Sequence, residues 1–373
     1  TPWPPAIRPP GRWTKWWPTW LPPLAIPISR TPPEPLVRRI AALALPALGV
    51  LAAGPIYLLF DTAVVGRLGA LSLAGLAVGG LLVAMVSTQL TFLSYGTTAR
   101  SARFHGAGDR RAAVREGVQA TWLAIGLGLM MVVIVQAIAR PLVSAIAGDG
   151  AIADTALPWL RIAIFAAPAI LISLAGNGWM RGVQDTVRPL RYVLAGFAVS
   201  AALCPLLVYG WLGFPRWELA GSAVANLLGQ WLAALLFCRA LLAEHVGLAP
   251  DFAVLRRQVV MGRDLVVRTM AFQACFLSAA AVAARFGAAA LAAHQVVLQL
   301  WSFLALVLDS LAIAAQSLVG AALGAGDPNH AKQVAWRVTA FSGLAAVILA
   351  AILAGGASVF PSAFTRSEER RVG

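Results

Sequence analysis

IAALALPALGVLAAGPIYLLFDTAVV, from Ile40 to Val65, is the stretch that decides the fold class of this chain. A helix needs about 20 apolar residues to cross a bilayer, and this run is longer than that. Its one carboxylate, Asp61, costs about 2.5–3.5 kcal/mol in the hydrocarbon on insertion scales, so it points to a polar cavity or a coupling site. Pro46 and Pro55 lie in the same run. Each removes a backbone hydrogen bond and invites a kink that neighbouring helices must repair. A bent span with a buried acid is the pattern of a moving part, not of an inert anchor.

Composition carries this reading to the whole chain. Of the 373 residues, 60% are hydrophobic and only 12% charged, with a mean hydropathy of +0.78, well outside the balance of a soluble domain. The fold expected is an all-α polytopic membrane protein. The net charge of +14 would suggest nucleic acid in a soluble chain, but here it reflects Arg concentrated in the loops of one side. Partners are therefore the lipid bilayer and small solutes, with no nucleic acid. Cys204, Cys238 and Cys275 form no CxxC or Cys/His cluster and read as small core residues, and no cofactor is expected.

Nine apolar spans are expected, over 40–65, 71–95, 117–139, 157–179, 192–211, 219–238, 264–284, 291–317 and 334–359. Residues 1–35 are rich in Pro and Trp and read as a disordered tail or as sequence foreign to the protein; residues 361–373 read as a polar tail. The segment 244–263 reads as a linker, its LRRQVV portion able to form an interfacial helix, between a six-span lobe at 36–243 and a three-span partial lobe at 264–360. With the N-terminus inside, sixteen Lys and Arg fall on the inner side and five on the outer, the asymmetry of a cytoplasmic N-terminus.

An offset of 218 residues superposes VGRLGALSLAGLAV (65–78) on AARFGAAALAAHQV (283–296), and the same ungapped offset places GAGD (106–109) on GAGD (324–327). Six spans separate the equivalents, an even number, so the halves enter the membrane the same way. The architecture implied is two parallel six-helix repeats, the second truncated after its third helix. Transporters built from such repeats place their sites between or within the lobes.

These residues resemble the multidrug and toxic compound extrusion (MATE) transporters, and among them the bacterial DinF-like branch. The resemblance rests on LALPALG and LLFDTAVVGRLG, on FLSYGTTARSARFHGAGD, on AGNGWMRGVQDTVRPL, and on AAHQVVLQLW with SLVGAALGAGD. It implies export of organic, often cationic, compounds in exchange for H⁺ or Na⁺ across the cell inner membrane, and no enzymatic activity. Asp61 matches the family's first-helix acid, Tyr57 stands one turn before it, Pro46 matches the helix-bending proline, and Asn226 takes the polar place of the sixth helix. Where some archaeal members carry Asn and Asp in the fifth span, this chain has Ser200 and Cys204. Sulfur is a poor ligand for a hard cation, which favours H⁺ over Na⁺.

Asn177, Gln273, Gln299 and Asp309 are polar groups in or at the ends of apolar spans and are the candidates for lining a substrate path, against the alternative of interhelical hydrogen bonds worth about 0.6 kcal/mol each. Asp309 is expected to pair with Arg268, which lies at a similar depth. A flippase of lipid-linked precursors from the same superfamily is the alternative transporter. An intramembrane transferase is the alternative enzyme, although Asp61, Asp185, Asp264 and Asp309 are scattered singly and no Walker loop, HExxH or GxSxG occurs.

Overall fold

A computed structural model describes residues 36–355. The two expected tails and the last residues of the ninth span lie outside the described residues. Those described form eleven α-helices and no strand: α1 Leu36–Gly66, α2 Ala70–Gln89, α3 Phe92–Gly106, α4 Arg110–Ala147, α5 Gly150–Ala163, α6 Ala167–Gly182, α7 Val187–Tyr209, α8 Glu218–Leu242, α9 Phe252–Arg285, α10 Ala288–Gly324 and α11 Pro328–Gly355. Eight helical stretches are long and apolar enough to span a bilayer, with a shorter apolar helix at Ala70–Met85.

Every expected span has its helix, but two are interrupted. The expected span at 71–95 breaks between α2 and α3, where the hydroxyls of Thr88 and Thr91 bond back to the carbonyls of Ala84 and Thr88. Side chains that bond their own backbone weaken the helical ladder. The expected span at 157–179 begins earlier as α5, capped by Asp149 on the N–H of Ala151 at 2.9 Å, passes through a 3₁₀ turn at Ile164–Ala166, and continues as α6 with Pro168 in its first turn, where a missing N–H costs nothing. At 38 residues α4 would be about 57 Å long. It overshoots the hydrocarbon at the end that carries Arg110, Arg111 and Arg115.

α9 is one helix from Phe252, and LRRQVV lies in its first part, continuous with the span that follows. Asp251 starts it, accepting from the N–H groups of Ala253 and Val254. The segment before it is strapped to α4. Gln119 donates to the carbonyl of Ala249 at 3.0 Å and accepts from the N–H of Asp251 at 2.7 Å, Trp122 donates to the carbonyl of Leu248, and Arg110 grips both oxygens of Glu244. Gln119→Ala removes both bonds from a segment that is itself exposed, at about 0.5–1.5 kcal/mol for each bond. The expected result is faster proteolysis within 244–251, with the melting temperature of the helical bundle little changed.

The first half holds most of the described core. Trp179, Phe237 and Met180 are fully buried among α4, α6 and α8, and small residues allow the helices to approach: a Cβ at Gly117 would meet the ring of Trp179, and one at Gly176 that of Phe237. A separate cluster, Ile40, Leu43 and Ala44 of α1 with Ala314 and Leu318 of α10 and Val334 and Val338 of α11, joins the halves.

The 218-residue repeat is visible in space. A Cβ on Gly106 would fall on the carbonyl of Ala321, and one on Gly324 on the carbonyl of Arg103. Gly324 is the equivalent of Gly106, and Ala321 of Arg103, so the contact is reciprocal, as a two-fold axis between parallel repeats requires. Gly320 and Ala102, themselves equivalents, meet on that axis, where a Cβ on the glycine would lie 2.8 Å from the alanine's. The halves differ in continuity: α10 runs unbroken through Leu308 and Asp309, the equivalents of Leu90 and Thr91 where α2 gives way to α3.

Candidate functional site

Asp61 lies one turn and a half before the end of α1 and is 4% exposed. The hydroxyl of Ser222, on α8, reaches both carboxylate oxygens at 2.7 and 2.9 Å, and the thiol of Cys204, on α7, donates to Oδ1 at 3.3 Å. No Lys, Arg or His lies within ion-pair distance of this carboxylate among the described residues. A buried carboxylate held only by neutral donors is poised to take up a positive charge.

One turn earlier on the same helix face, Tyr57 stacks on Phe197 with ring centroids 5.2 Å apart. Its hydroxyl is buried beside that of Ser200, which faces it from α7, and neither makes a well-formed hydrogen bond among the described residues. Buried polar atoms are rarely left in this condition. Around one carboxylate the fold therefore gathers Ser222 and two hydroxyls with unused capacity, a set of oxygens that could hold a proton, a water or a small hard cation. Tyr209 ties the arrangement together by donating to the carbonyl of Val64 at 2.6 Å. The described residues hold no cluster of three or more His, Cys, Asp or Glu side chains able to bind a metal.

Of the residues singled out in the sequence, the structure brings together Asp61, Tyr57 and Ser200. Asn226 sits one turn beyond Ser222 on α8, but its amide oxygen accepts from Gln230, and Ser222 occupies the place beside the acid instead. Ser222 was not singled out; its spacing of four before Asn226 in GSAVANLL is the signal that puts it on the same face. Cys204 is buried as expected yet also bonds to Asp61, while Cys275 is exposed on α9 and is no core residue. Pro46 and Pro55 lie within α1, which stays helical through both.

The candidates for lining a path are not one cluster. Asn177 is buried, its amide donating to the carbonyl of Ser173 and its oxygen without a partner among the described residues. Gln273 and Gln299 are exposed on α9 and α10. Asp309 accepts from the hydroxyl of Tyr95 at 2.7 Å. The expected Arg268–Asp309 ion pair does not form: Arg268 lies exposed on α9, and the tyrosine hydroxyl, reaching across from α3, takes the carboxylate first.

Parallel helical repeats with an acid buried in the first helix define a multi-pass membrane protein of transporter architecture. The chain belongs to the MatE family, whose model matches residues 46–206 and 265–372, two blocks whose starts lie 219 residues apart. It is 32% identical over 90% of its length to Protein DETOXIFICATION 44, chloroplastic, of Arabidopsis thaliana, and 30% identical over 80% of its length to DNA damage-inducible protein F of Escherichia coli, covering 67% and 66% of those chains. The similarity thus reaches plant as well as bacterial relatives, and the chain spans about two thirds of the length of each. In fold it is similar to a MATE protein solved in a bent conformation, with a TM-score of 0.78, 22% identity, and coverage of 87% of this chain and 73% of that one.

Proposed function

We propose that the protein is a secondary antiporter that exports small organic, often cationic, compounds, and that inward movement of H⁺ rather than Na⁺ drives it through Asp61. The observation that carries this reading is the carboxylate itself: buried, without a cationic partner among the described residues, and flanked by hydroxyls with hydrogen-bonding capacity to spare. A proton and a cationic substrate then compete for one charge. By linkage each weakens the other's binding by the same factor, which is the thermodynamic requirement of exchange. Membership of a family that includes a probable multidrug resistance protein from Deinococcus radiodurans supports the class of substrate.

The choice of H⁺ rests on the thiol. Cys204 contributes sulfur where a Na⁺ shell needs oxygen. The test is reconstitution of the full-length protein in proteoliposomes with a fluorescent organic cation, imposing a pH gradient or a Na⁺ gradient separately. Uphill movement under the pH gradient alone supports the reading. Movement under Na⁺ alone would assign the hydroxyls of Tyr57 and Ser200 to the ion, and movement of lipid-linked pyrophosphates with no organic cation would favour a flippase.

The proposed site is the inner membrane with the N-terminus in the cytoplasm. The turn at 107–109 and the loop at 183–186 then lie inside, and the turn carrying Asp149 outside. A cysteine introduced at position 150 should react with an impermeant maleimide added to intact cells, and one at position 108 should react only after permeabilisation. The opposite result would reverse the orientation.

A further inference from the structure

The two halves do not touch evenly along their length. On α10, Val297, Trp301 and Phe303 are 59–61% exposed, whereas Ser310, Ile313, Ala314, Ser317, Leu318 and Ala322 are buried. The buried part faces α1, α3 and α6, at the end of the bundle where the arginine-rich turns lie. Asp309 stands at the boundary between the exposed and the packed portions.

Three observations converge there. Tyr95 of α3 donates to Asp309 of α10 at 2.7 Å, across 214 residues of chain. Arg181, at the end of α6 and only 5% exposed, has its guanidinium within electrostatic reach of both Tyr95 and Asp309 and donates to Ser94 at 3.4 Å. Ser317, two turns along α10 from Asp309, donates to the backbone carbonyl of Arg181 at 2.7 Å. Below them the helices meet at Ala102, Gly106, Gly320 and Gly324, whose lack of bulk lets the backbones come together.

We infer that the Tyr95–Asp309 hydrogen bond, with Arg181 behind it, is a latch between the two halves that holds the arginine-rich end closed, and that Asp309 is a positioning residue which must part from Tyr95 in each cycle for that end to open. The reasoning is one of division of labour. The apolar cluster around Leu43 and Leu318 and the glycine crossing supply close contact but no direction, since apolar surfaces in a bilayer exchange readily for lipid. A hydroxyl bonded to a carboxylate beside a buried guanidinium is directional and strong only when aligned. It is made across the halves, so it exists in the closed arrangement and is lost when α10 swings from α3. Asp309 has no acidic equivalent in the first half, where Thr91 occupies its place, so the latch is a feature of the pair of halves and not of either repeat.

The inference rests on the antiport reading above, because a gate matters only to a protein that alternates. Its test reads the gate without transport. In the full-length protein carrying Ala314→Cys, a position 0% exposed in the closed arrangement, the rate of modification by a membrane-permeant maleimide is followed by mass spectrometry of the peptide containing position 314. Tyr95→Phe, which removes the donor, should raise that rate by about ten- to a hundredfold, the range expected for loss of a hydrogen bond to a charged group, and Asp309→Asn, whose amide oxygen still accepts from Tyr95 but carries no charge, should raise it by less. The double variant should be no faster than the faster single one, and Asp309→Glu should restore slow labelling. If Asp309→Asn fails to accumulate, Tyr95→Phe, which removes one oxygen atom, carries the test alone. An unchanged rate at position 314 overturns the latch whatever the transport result. Absence of gradient-driven export in the unmodified protein, with the labelling rates changed as expected, overturns the antiport reading and leaves the latch standing.

Discussion

Asp61→Asn should abolish export driven by a pH gradient while the protein folds and inserts normally. The substitution keeps the shape of the side chain, and the amide oxygen can still accept from Ser222, whose hydroxyl bonds to the carboxylate at 2.7 Å. What it removes is the charge for which, in the proposed exchange, a proton and a cationic substrate compete. No ion pair is broken, because none reaches this carboxylate among the described residues, so the penalty of stranding a buried partner charge does not arise. Uphill transport should fall by at least about a hundredfold, as expected where one group carries the whole coupling, with the melting temperature in detergent shifted by no more than a few degrees. Downhill leak of substrate, or binding of a neutral analogue, should survive. Uphill export at the unmodified rate by this variant would remove Asp61 from the coupling mechanism.

How far the sequence alone reached is clearest at particular residues. Asp61 and Tyr57 were legible because a carboxylate in an apolar run is costly and a spacing of four keeps both on one face. Ser222 was not, since a serine among Gly and Ala in a membrane helix is usual packing chemistry, and its bond to Asp61 spans 161 residues of chain. A still longer separation, 214 residues, hid the Tyr95–Asp309 contact, and the matched depth of Arg268 suggested an ion pair where the carboxylate instead accepts from the tyrosine hydroxyl. The repeat was readable from two GAGD motifs at one offset, and the structure explains the glycines: the first of each, Gly106 and Gly324, meets a backbone carbonyl of the other half, and the second, Gly108 and Gly326, takes a positive φ at the turn. The break between α2 and α3 left no periodicity signal, because it depends on threonine hydroxyls bonding to the carbonyls of the preceding turn.

Gly229→Leu should prevent accumulation of the folded protein, and the smaller Gly229→Ala should destabilise it measurably, because α7 and α8 pack here with no room for a side chain. A Cβ at position 229 would fall on the hydroxyl of Ser200 and the carbonyl of Gly196, and one on Gly196 would lie 2.7 Å from the carbonyl of Gly229. Farther along the same pair a Cβ on Gly221 would come within 2.6 Å of the Leu207 carbonyl. Backbone atoms cannot turn aside as a flexible side chain can, so the helices must separate. Overpacking of this kind costs about 1–3 kcal/mol, a large share of the 5–15 kcal/mol typical of folded proteins, and leucine adds three more carbons to the same overlap. Separation would also draw Ser200 and Cys204 away from Ser222, opening the pocket around Asp61 from behind. Gly126→Ala is the comparison, since nothing lies within 4 Å of a Cβ there and alanine is the better helix former by about 1 kcal/mol. Thermal unfolding followed by tryptophan fluorescence should therefore show the same chemical change lowering the melting temperature at 229 and leaving it level or raising it at 126. Equal shifts at both positions would mean that the close approach of α7 and α8 does not set the stability of this pocket.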